Sequence, residues 1–196
     1  MDDTALIQKA QRGDVDSFNA LVIQYQANVY NFVYRLLGDA EIAADATQDA
    51  FISAWSHLVQ FRGGSFKAWL MRIAANTCYD EMRRRRRRPS VSLDEPESEG
   101  NLRLVSDSES PESAAQRSAL SRLIQECLDA LTPDQRLVAV LCDVQGYNYA
   151  EIAEIRRLSL GTVKSRLSRA RQNLRDCLRG AGELLPDAYR LDQRED

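Results

Sequence analysis

The sequence predicts an all-α protein made of two small helical domains joined by a flexible acidic linker, and three observations carry that expectation. Apolar residues recur at three- and four-residue intervals in both halves, no run alternates with the two-residue period of a strand, and a stretch rich in Pro, Ser, Asp and Glu separates the halves. The chain has 196 residues, 44% of them hydrophobic, which allows one domain or two small ones with buried cores.

Residues 1–88 read as helical throughout, with Gly13, Gly38 and the Gly63-Gly64 pair as punctuation. Phe18, Leu21, Val22, Tyr25, Val29, Phe32, Val33, Leu36 and Leu37 trace one amphipathic helix. After Gly38, Asp39 can cap a second helix that carries Ile42, Ala46, Ala50, Phe51 or Ile52, and Trp55. Ser65 can cap a third, with Phe66, Trp69, Leu70, Ile73, Ala74, Thr77 and Cys78 on one side, ending in six consecutive arginines, Arg83 to Arg88.

Residues 89–113 change composition to segments such as PSVSLDEPESEG and SDSESPES, which cannot bury enough apolar surface to offset the entropy of ordering them. This is the expected linker, with Leu102, Leu104 and Val105 as its one apolar cluster. The second domain is expected over 114–180 and a short acidic tail over 181–196. Leu120, Leu123, Ile124, Cys127, Leu128 and Leu131 recur at helical spacing. Thr132-Pro133-Asp134-Gln135 then places a capping Thr, a Pro at the first helical position and a Gln at the third, so a helix should run from there to Gly146.

The last two helices carry the chemistry. A short helix over Tyr149 to Ile155 and a tight connection over Arg156 to Ser159 have helix-turn-helix proportions. If Ser159 caps a helix from Leu160, a step of about 100° per residue gathers Val163, Leu167, Ala170 and Leu174 into one stripe. The opposite side then carries Lys164, Ser165, Ser168 and Gln172, flanked by Arg166, Arg169, Arg171 and Arg175, which can reach phosphates or guanine edges. The competing interpretation is a solvated, Arg-rich surface helix.

Charge is uneven. Residues 1–88 hold 12 basic and 10 acidic side chains, 89–119 hold 2 and 7, 120–180 hold 10 and 7, and 181–196 hold 2 and 5, for a net −3. Contact with nucleic acid must therefore come from local patches. In the first half, Phe61, Arg62, Gly63, Gly64, Ser65, Phe66, Lys67, Trp69 and Arg72 put aromatic and cationic groups around a loop at a helix start, a combination that suits an unpaired base. Phe66 and Trp69 also lie where core residues would lie. The arginine run suits a polyanion or simply water.

Cys78, Cys127, Cys142 and Cys177 are far apart, three on apolar stripes, and are expected as buried free thiols. His57 has no Cys or second His nearby, so no metal site and no cofactor are expected. No nucleophile, base and orienter set or paired catalytic carboxylates stand out, so no catalytic residue is assigned. Without a signal pattern or an apolar run near the roughly 18 residues of a membrane span, the expectation is a cytoplasmic protein with no direct membrane insertion.

Three segments, DAEIAADATQDAFISAW, FRGGSFKAWLMRIAANTCYDEMRRR and YAEIAEIRRLSLGTVKSRLSRAR, together resemble a bacterial RNA polymerase sigma factor of the extracytoplasmic-function (ECF) group of the sigma-70 family. The likeness covers nearly the whole chain apart from linker and tail. It implies a sigma-2 domain over 1–88, a sigma-4 domain over 114–180, and core RNA polymerase and promoter DNA as partners. Asp45, Gln48 and Asp49, which share one helical face, would meet the clamp coiled coil of the largest polymerase subunit, with the polymerase flap as a further contact. Phe61, Asn76 and the Gly63 to Phe66 loop would help open the minus-10 element and hold a flipped non-template base, while Arg62, Lys67, Arg72 and the arginine run track backbone.

By the same resemblance Lys164, Ser165, Ser168 and Arg169 would meet minus-35 bases, and Arg166 and Arg171 phosphates. Ser168 is small where relatives place a larger side chain, which shifts weight to duplex shape. The linker would run through the RNA exit path, and an anti-sigma protein would mask both domains. Two rivals remain at this point: a polymerase-independent helix-turn-helix regulator whose first half senses a ligand or dimerises, and an enzyme fused to a DNA-binding module.

Overall fold

The computed structural model describes residues 3–87 and 111–180. Arg88, the segment 89–110 with its Leu102, Leu104 and Val105 cluster, and the tail 181–196 lie outside the described residues. Within them all regular structure is helical: α1 (Asp3–Ala10), α2 (Val15–Leu37), α3 (Ala40–His57), α4 (Phe66–Arg87), α5 (Pro111–Asp129), α6 (Pro133–Ala139), α7 (Tyr149–Arg156) and α8 (Leu160–Gly180). A 3-10 turn over Leu58–Gln60 closes α3, and a π-helical turn over Val140–Val144 prolongs α6. The helix α5 begins at Pro111, inside the stretch expected as linker.

The helices start where short polar side chains satisfy orphan N–H groups. Asp39 accepts from the Ile42 N–H at 2.9 Å, and Ser65 Oγ from the Ala68 N–H at 3.2 Å, both as the sequence predicts. Asp14, not singled out in the sequence, caps α2 through the Asp16 N–H and the Ser17 hydroxyl, at 3.2 and 2.6 Å. Thr132 and Gln135 form a reciprocal capping box around Pro133. Asn148 and Glu151 form a second box at α7 that the sequence reading overlooked. The helix expected to continue to Gly146 widens instead: the Gln145 N–H reaches the Val140 carbonyl at 2.9 Å, an i to i+5 bond, before Gly146 turns at φ 74°.

The two halves do not stand apart. One continuous cluster of buried side chains runs from Phe18, Phe32 and Leu36 of α2 and Leu70, Met71 and Ala74 of α4 into Leu137, Val138 and Leu141, Ile152 of α7, and Val163 and Leu167 of α8. Polar contacts lie across this seam. Arg136 donates to the Leu36 carbonyl and to the Asp129 carbonyl, each at 2.7 Å, and ion-pairs with the Asp129 carboxylate at 2.7 Å. Arg35 reaches Gln125 Oε1 at 3.3 Å, and Gln125 returns a bond to the Arg35 carbonyl at 3.4 Å.

The cysteine expectation is corrected. Cys127 of α5 and Cys177 of α8 form a disulfide that closes a separation of 50 residues. They sit within a small satellite cluster with Leu123, Leu120, Leu174 and Leu178. Apolar positions made both read as buried thiols, yet the packing of α5 on α8 sets the two positions face to face. Cys78 is a buried free thiol pushed up to about 12 by desolvation, hence unreactive, and half-buried Cys142 is free with its thiol also pushed up by burial.

Gly38 ends α2 in the left-handed region, φ 75°, with its N–H on the Tyr34 carbonyl at 2.8 Å, and a Cβ there would stand 2.9 Å from Asp129 Oδ2. Gly38→Ala is expected to lower unfolding free energy by about 1–3 kcal/mol, the usual cost of a non-glycine residue in that region. An unchanged urea midpoint would show that neither the dihedral nor Asp129 constrains the position. Cys127→Ser, or reductant applied to the wild type, is expected to cost about 2–4 kcal/mol; stability that ignores reductant contradicts the bond.

Candidate nucleic-acid interface

The helix α8 presents two faces. Ser159 Oγ accepts the Thr162 N–H at 3.1 Å and fixes the start of the helix, and Val163, Leu167 and Ala170 are buried, chiefly against α6. That burial leaves Lys164, Ser165, Ser168 and Arg169 exposed together. Ser165 bonds back to the Thr162 carbonyl at 3.1 Å. Two of the four cations among the sequence-predicted positions are paired internally. Arg166, half-buried, pairs with Asp134 at 2.7 Å, and Arg171 forks onto Asp143 through Nε at 3.2 Å and Nη2 at 2.5 Å. The Asp143 bond holds the Arg171 guanidinium well above its usual range, so it stays cationic. The connection from α7 turns at Arg157, φ 52°, with the Leu158 N–H on the Ala153 carbonyl at 2.9 Å.

In the other half, Gly63 and Gly64 take φ 106° and 88° and remain exposed, so the loop turns through two dihedrals that side chains disfavour. Phe61, Phe66 and Trp69 form a ring cluster with centroid separations of 5.4 to 5.8 Å, and Phe66 also meets Tyr25 at 5.5 Å. Phe66 is buried, whereas Phe61 and Trp69 are half-buried against the core. A cavity of about 530 Å³ opens between this loop and α1, with Tyr25, Phe61, Arg62 and Lys67 among its walls. That volume is within the roughly 300–1,000 Å³ of small-ligand sites. The sequence assigned no role to α1, because a short helix before Gly13 carries no signal of what it will face.

Lys67, Arg72 and Asn76 lie along α4, and two of them meet the second half. Lys67 Nζ stands 5.1 Å from the Tyr147 ring centroid, and Asn76 Oδ1 accepts from Arg156 Nη1 at 3.4 Å. Arg156 also lies over the Tyr79 ring at 4.4 Å. Tyr79 donates its hydroxyl to Asp134 Oδ1 at 2.5 Å, and burial together with that carboxylate pushes the phenol upward. Asp134 therefore joins Tyr79 of α4 and Arg166 of α8 through its two oxygens.

On α3, Asp45, Gln48 and Asp49 are exposed on one face. Gln48 borders an apolar groove of about 750 Å³ between α2 and α3, walled by Phe18, Val22, Tyr30, Phe51 and Trp55, with Ile52 57% exposed at its edge. The arginine run is interleaved with carboxylates: Arg83 faces Asp80 at 3.6 Å, Arg84 and Arg85 face Glu81 at 2.7 and 3.4 Å, and Arg85 faces Asp39 at 3.8 Å. The arginines of these pairs are exposed, although Glu81 is half-buried, so the run remains open to other anions. Among the described residues, no group of three or more His, Cys, Asp or Glu could hold a metal ion, and no helix is long and apolar enough to cross a membrane.

A helix-turn-helix with a cationic face thus packs on a helical bundle that carries an aromatic, cation-lined cavity, an architecture in keeping with a two-part transcription factor. Residues 21–88 match sigma-70 region 2, and residues 121–174 match sigma-70 region 4. The RNA polymerase sigma-H factor of Pseudomonas aeruginosa is 36% identical over 87% of this chain and 90% of its own length, and the ECF RNA polymerase sigma-E factor of Escherichia coli K12 is 35% identical over 87% and 91%. The fold is similar to that of the sigma factor RpoE in complex with the anti-sigma factor NepR from Bartonella quintana, with a TM-score of 0.61, 29% identity, and coverage of 82% of this chain and 96% of that one. CnrH in complex with the cytosolic domain of CnrY gives a TM-score of 0.66 at 25% identity over 90% and 96%. The chain belongs to the sigma-70 family, in its extracytoplasmic-function group.

Asp134→Ala removes the acceptor that Tyr79 and Arg166 share. Loss of a hydrogen bond to a charged group costs about 1.5–3 kcal/mol, so the balance between docked and separated halves is expected to shift at least tenfold toward separation. Small-angle X-ray scattering should register a larger radius of gyration; an unchanged radius means that the apolar seam alone holds the halves.

Proposed function

We propose that the chain binds core RNA polymerase and supplies promoter specificity by gripping intact minus-35 duplex with α8 and trapping melted minus-10 strand with the loop and helix around Phe61 to Asn76. The observation that carries this reading is the division of α8: burial of Val163, Leu167 and Ala170 leaves Lys164, Ser165, Ser168 and Arg169 exposed as one face of major-groove size. Arg166 and Arg171 exchange their carboxylate partners for phosphate. In the first half, Phe61, Gly63, Gly64, Ser65, Phe66 and Asn76 take the displaced base, while Arg62, Lys67, Arg72 and the arginine run follow the backbone. The protein itself performs no bond chemistry; the polymerase does.

Asp45, Gln48 and Asp49 with the adjoining apolar groove form the contact for the clamp coiled coil of the largest polymerase subunit, and the second half meets the flap. The acidic linker enters the RNA exit path, where its carboxylates occupy basic surface. The relatives solved with anti-sigma proteins support an anti-sigma partner for this chain. The working compartment is the cytoplasm, where disulfides are uncommon, so the stabilisation from Cys127–Cys177 depends on redox conditions.

The docked arrangement is a resting form. The two promoter elements lie about 25 base pairs apart by their names, or about 85 Å of duplex at 3.4 Å per base pair, whereas Asn76 and Arg156 of the two halves are 3.4 Å apart. Binding both elements requires the halves to part along the α4–α7 seam, releasing Lys67 from Tyr147 and Asn76 from Arg156.

Arg169→Ala is expected to weaken promoter-specific initiation about 10- to 100-fold, the equivalent of about 1–3 kcal/mol for a base contact, while co-purification with core polymerase is unaltered. An unchanged promoter profile removes Arg169 from the readout set. Asp49→Arg is expected to abolish co-purification with core polymerase, and normal recovery of the complex would exclude that face of α3.

A further inference from the structure

We infer that Gln11 is a positioning residue for minus-10 base capture: from the end of α1 it clamps the loop that forms the base cavity, and α1 is the rigid wall against which the base is held. The inference rests on the reading of the 61–67 loop as the minus-10 site. Gln11 Nε2 donates to the Leu58 carbonyl at 3.0 Å and to the Phe61 carbonyl at 2.9 Å, partners 47 and 50 residues away. Both acceptors are backbone oxygens that can only accept, so the amide has one workable orientation with both its N–H groups committed.

The position of those carbonyls gives the contact its consequence. Leu58 opens and Phe61 follows the 3-10 turn that ends α3, where carbonyls lose their i+4 α-helical donors. Leu58 O also accepts the Phe61 N–H at 3.0 Å, so the Gln11 amide ties the last turn and the first loop residue into one unit. Immediately beyond stand Gly63 and Gly64, both at positive φ with open space around them. Such a pair gives the loop its turn and deprives it of side-chain packing, so its entry point must be fixed from outside.

The helix that precedes Gln11 is itself fixed at both ends. Asp3 accepts from Gln24 Nε2 at 2.8 Å and from the Tyr25 hydroxyl, while Ile7 and Ala10 are buried. Asp3, Ile7, Gln8 and Gln11 line the cavity opposite Phe61 and Lys67. A stacked base gains only if the opposing walls keep their spacing, and the Gln11 clamp sets that spacing where loop and α1 meet. Gln11 acts through the loop rather than by reading the base.

The test uses the full chain bound to core polymerase and single-stranded minus-10 non-template oligonucleotides, cognate or abasic at each position. Wild type should bind the cognate strand more tightly than the strand abasic at the captured position. In Gln11→Leu, which keeps bulk without donors, and in Gln11→Glu, which keeps shape but lacks donors, that ratio should fall about tenfold toward one. Co-purification with core polymerase and duplex minus-35 binding should be unaltered in both. Hydrogen exchange of the 61–67 amides should quicken in both variants while α2 and α4 stay protected. A merely structural role would lower thermal stability and affinity for cognate and abasic strands in parallel, leaving the ratio intact, and that result overturns the inference. Phe61→Ala separates the two levels: if it collapses the ratio and the Gln11 variants do not, the clamp is wrong; if Phe61→Ala also leaves the ratio intact, the base site beneath it is wrong.

Discussion

Burial of one apolar core shared by both halves is the constraint on which the remaining arrangement depends. Val163 and Leu167 of α8, Ile152 of α7 and Leu137 to Leu141 cannot be covered without choosing which face of α8 meets water. The same cluster continues into α2 and α4, so it also decides that α7 lies on α4. Because the hydrophobic contribution scales with area removed from water and has no direction of its own, the polar groups at the seam set the register: Asp134 between Tyr79 and Arg166, Arg136 on the Leu36 carbonyl, and Gly38 under Asp129.

The electrostatics of the chain follow from local pairing more than from its net charge of −3. Several cations are paired with carboxylates: Arg166 with Asp134, Arg171 with Asp143, and the arginine run with Glu81, Asp80 and Asp39. Each exposed pair contributes little to stability, yet together they keep the cations oriented and lower the repulsion among them. Lys164 and Arg169 stand exposed on α8. A family member of this kind can therefore be acidic overall and still present an exposed cationic helix face.

Local physics made much of this legible in the sequence. Helical periodicity located α2, α3, α4, α6 and α8, and short polar caps fixed the starts of the last four, since Asp39, Ser65, Thr132 and Ser159 each act on the N–H three residues on. The exposed face of α8 followed from its stripe because both are properties of one helix. What was illegible is long-range. The Cys127–Cys177 bond depends on how α5 meets α8. The Gln11 contact spans about half of the first domain, and the hydrogen bond from Arg156 to Asn76 joins residues 80 positions apart. The π turn at Val140–Val144 arises inside a run whose periodicity reads as plain α-helix, and the pattern of apolar residues does not register one extra residue in a turn.

The central claim is that neither half suffices and that the chain works only through the polymerase. Core-dependent transcription in vitro on genomic DNA, with start sites mapped, tests it most directly. The expected result is discrete starts that share an upstream pair of motifs, absent when either the chain or core enzyme is omitted. Sequence-specific duplex binding by the chain alone, with starts that do not change when it is added to core polymerase, would contradict the account.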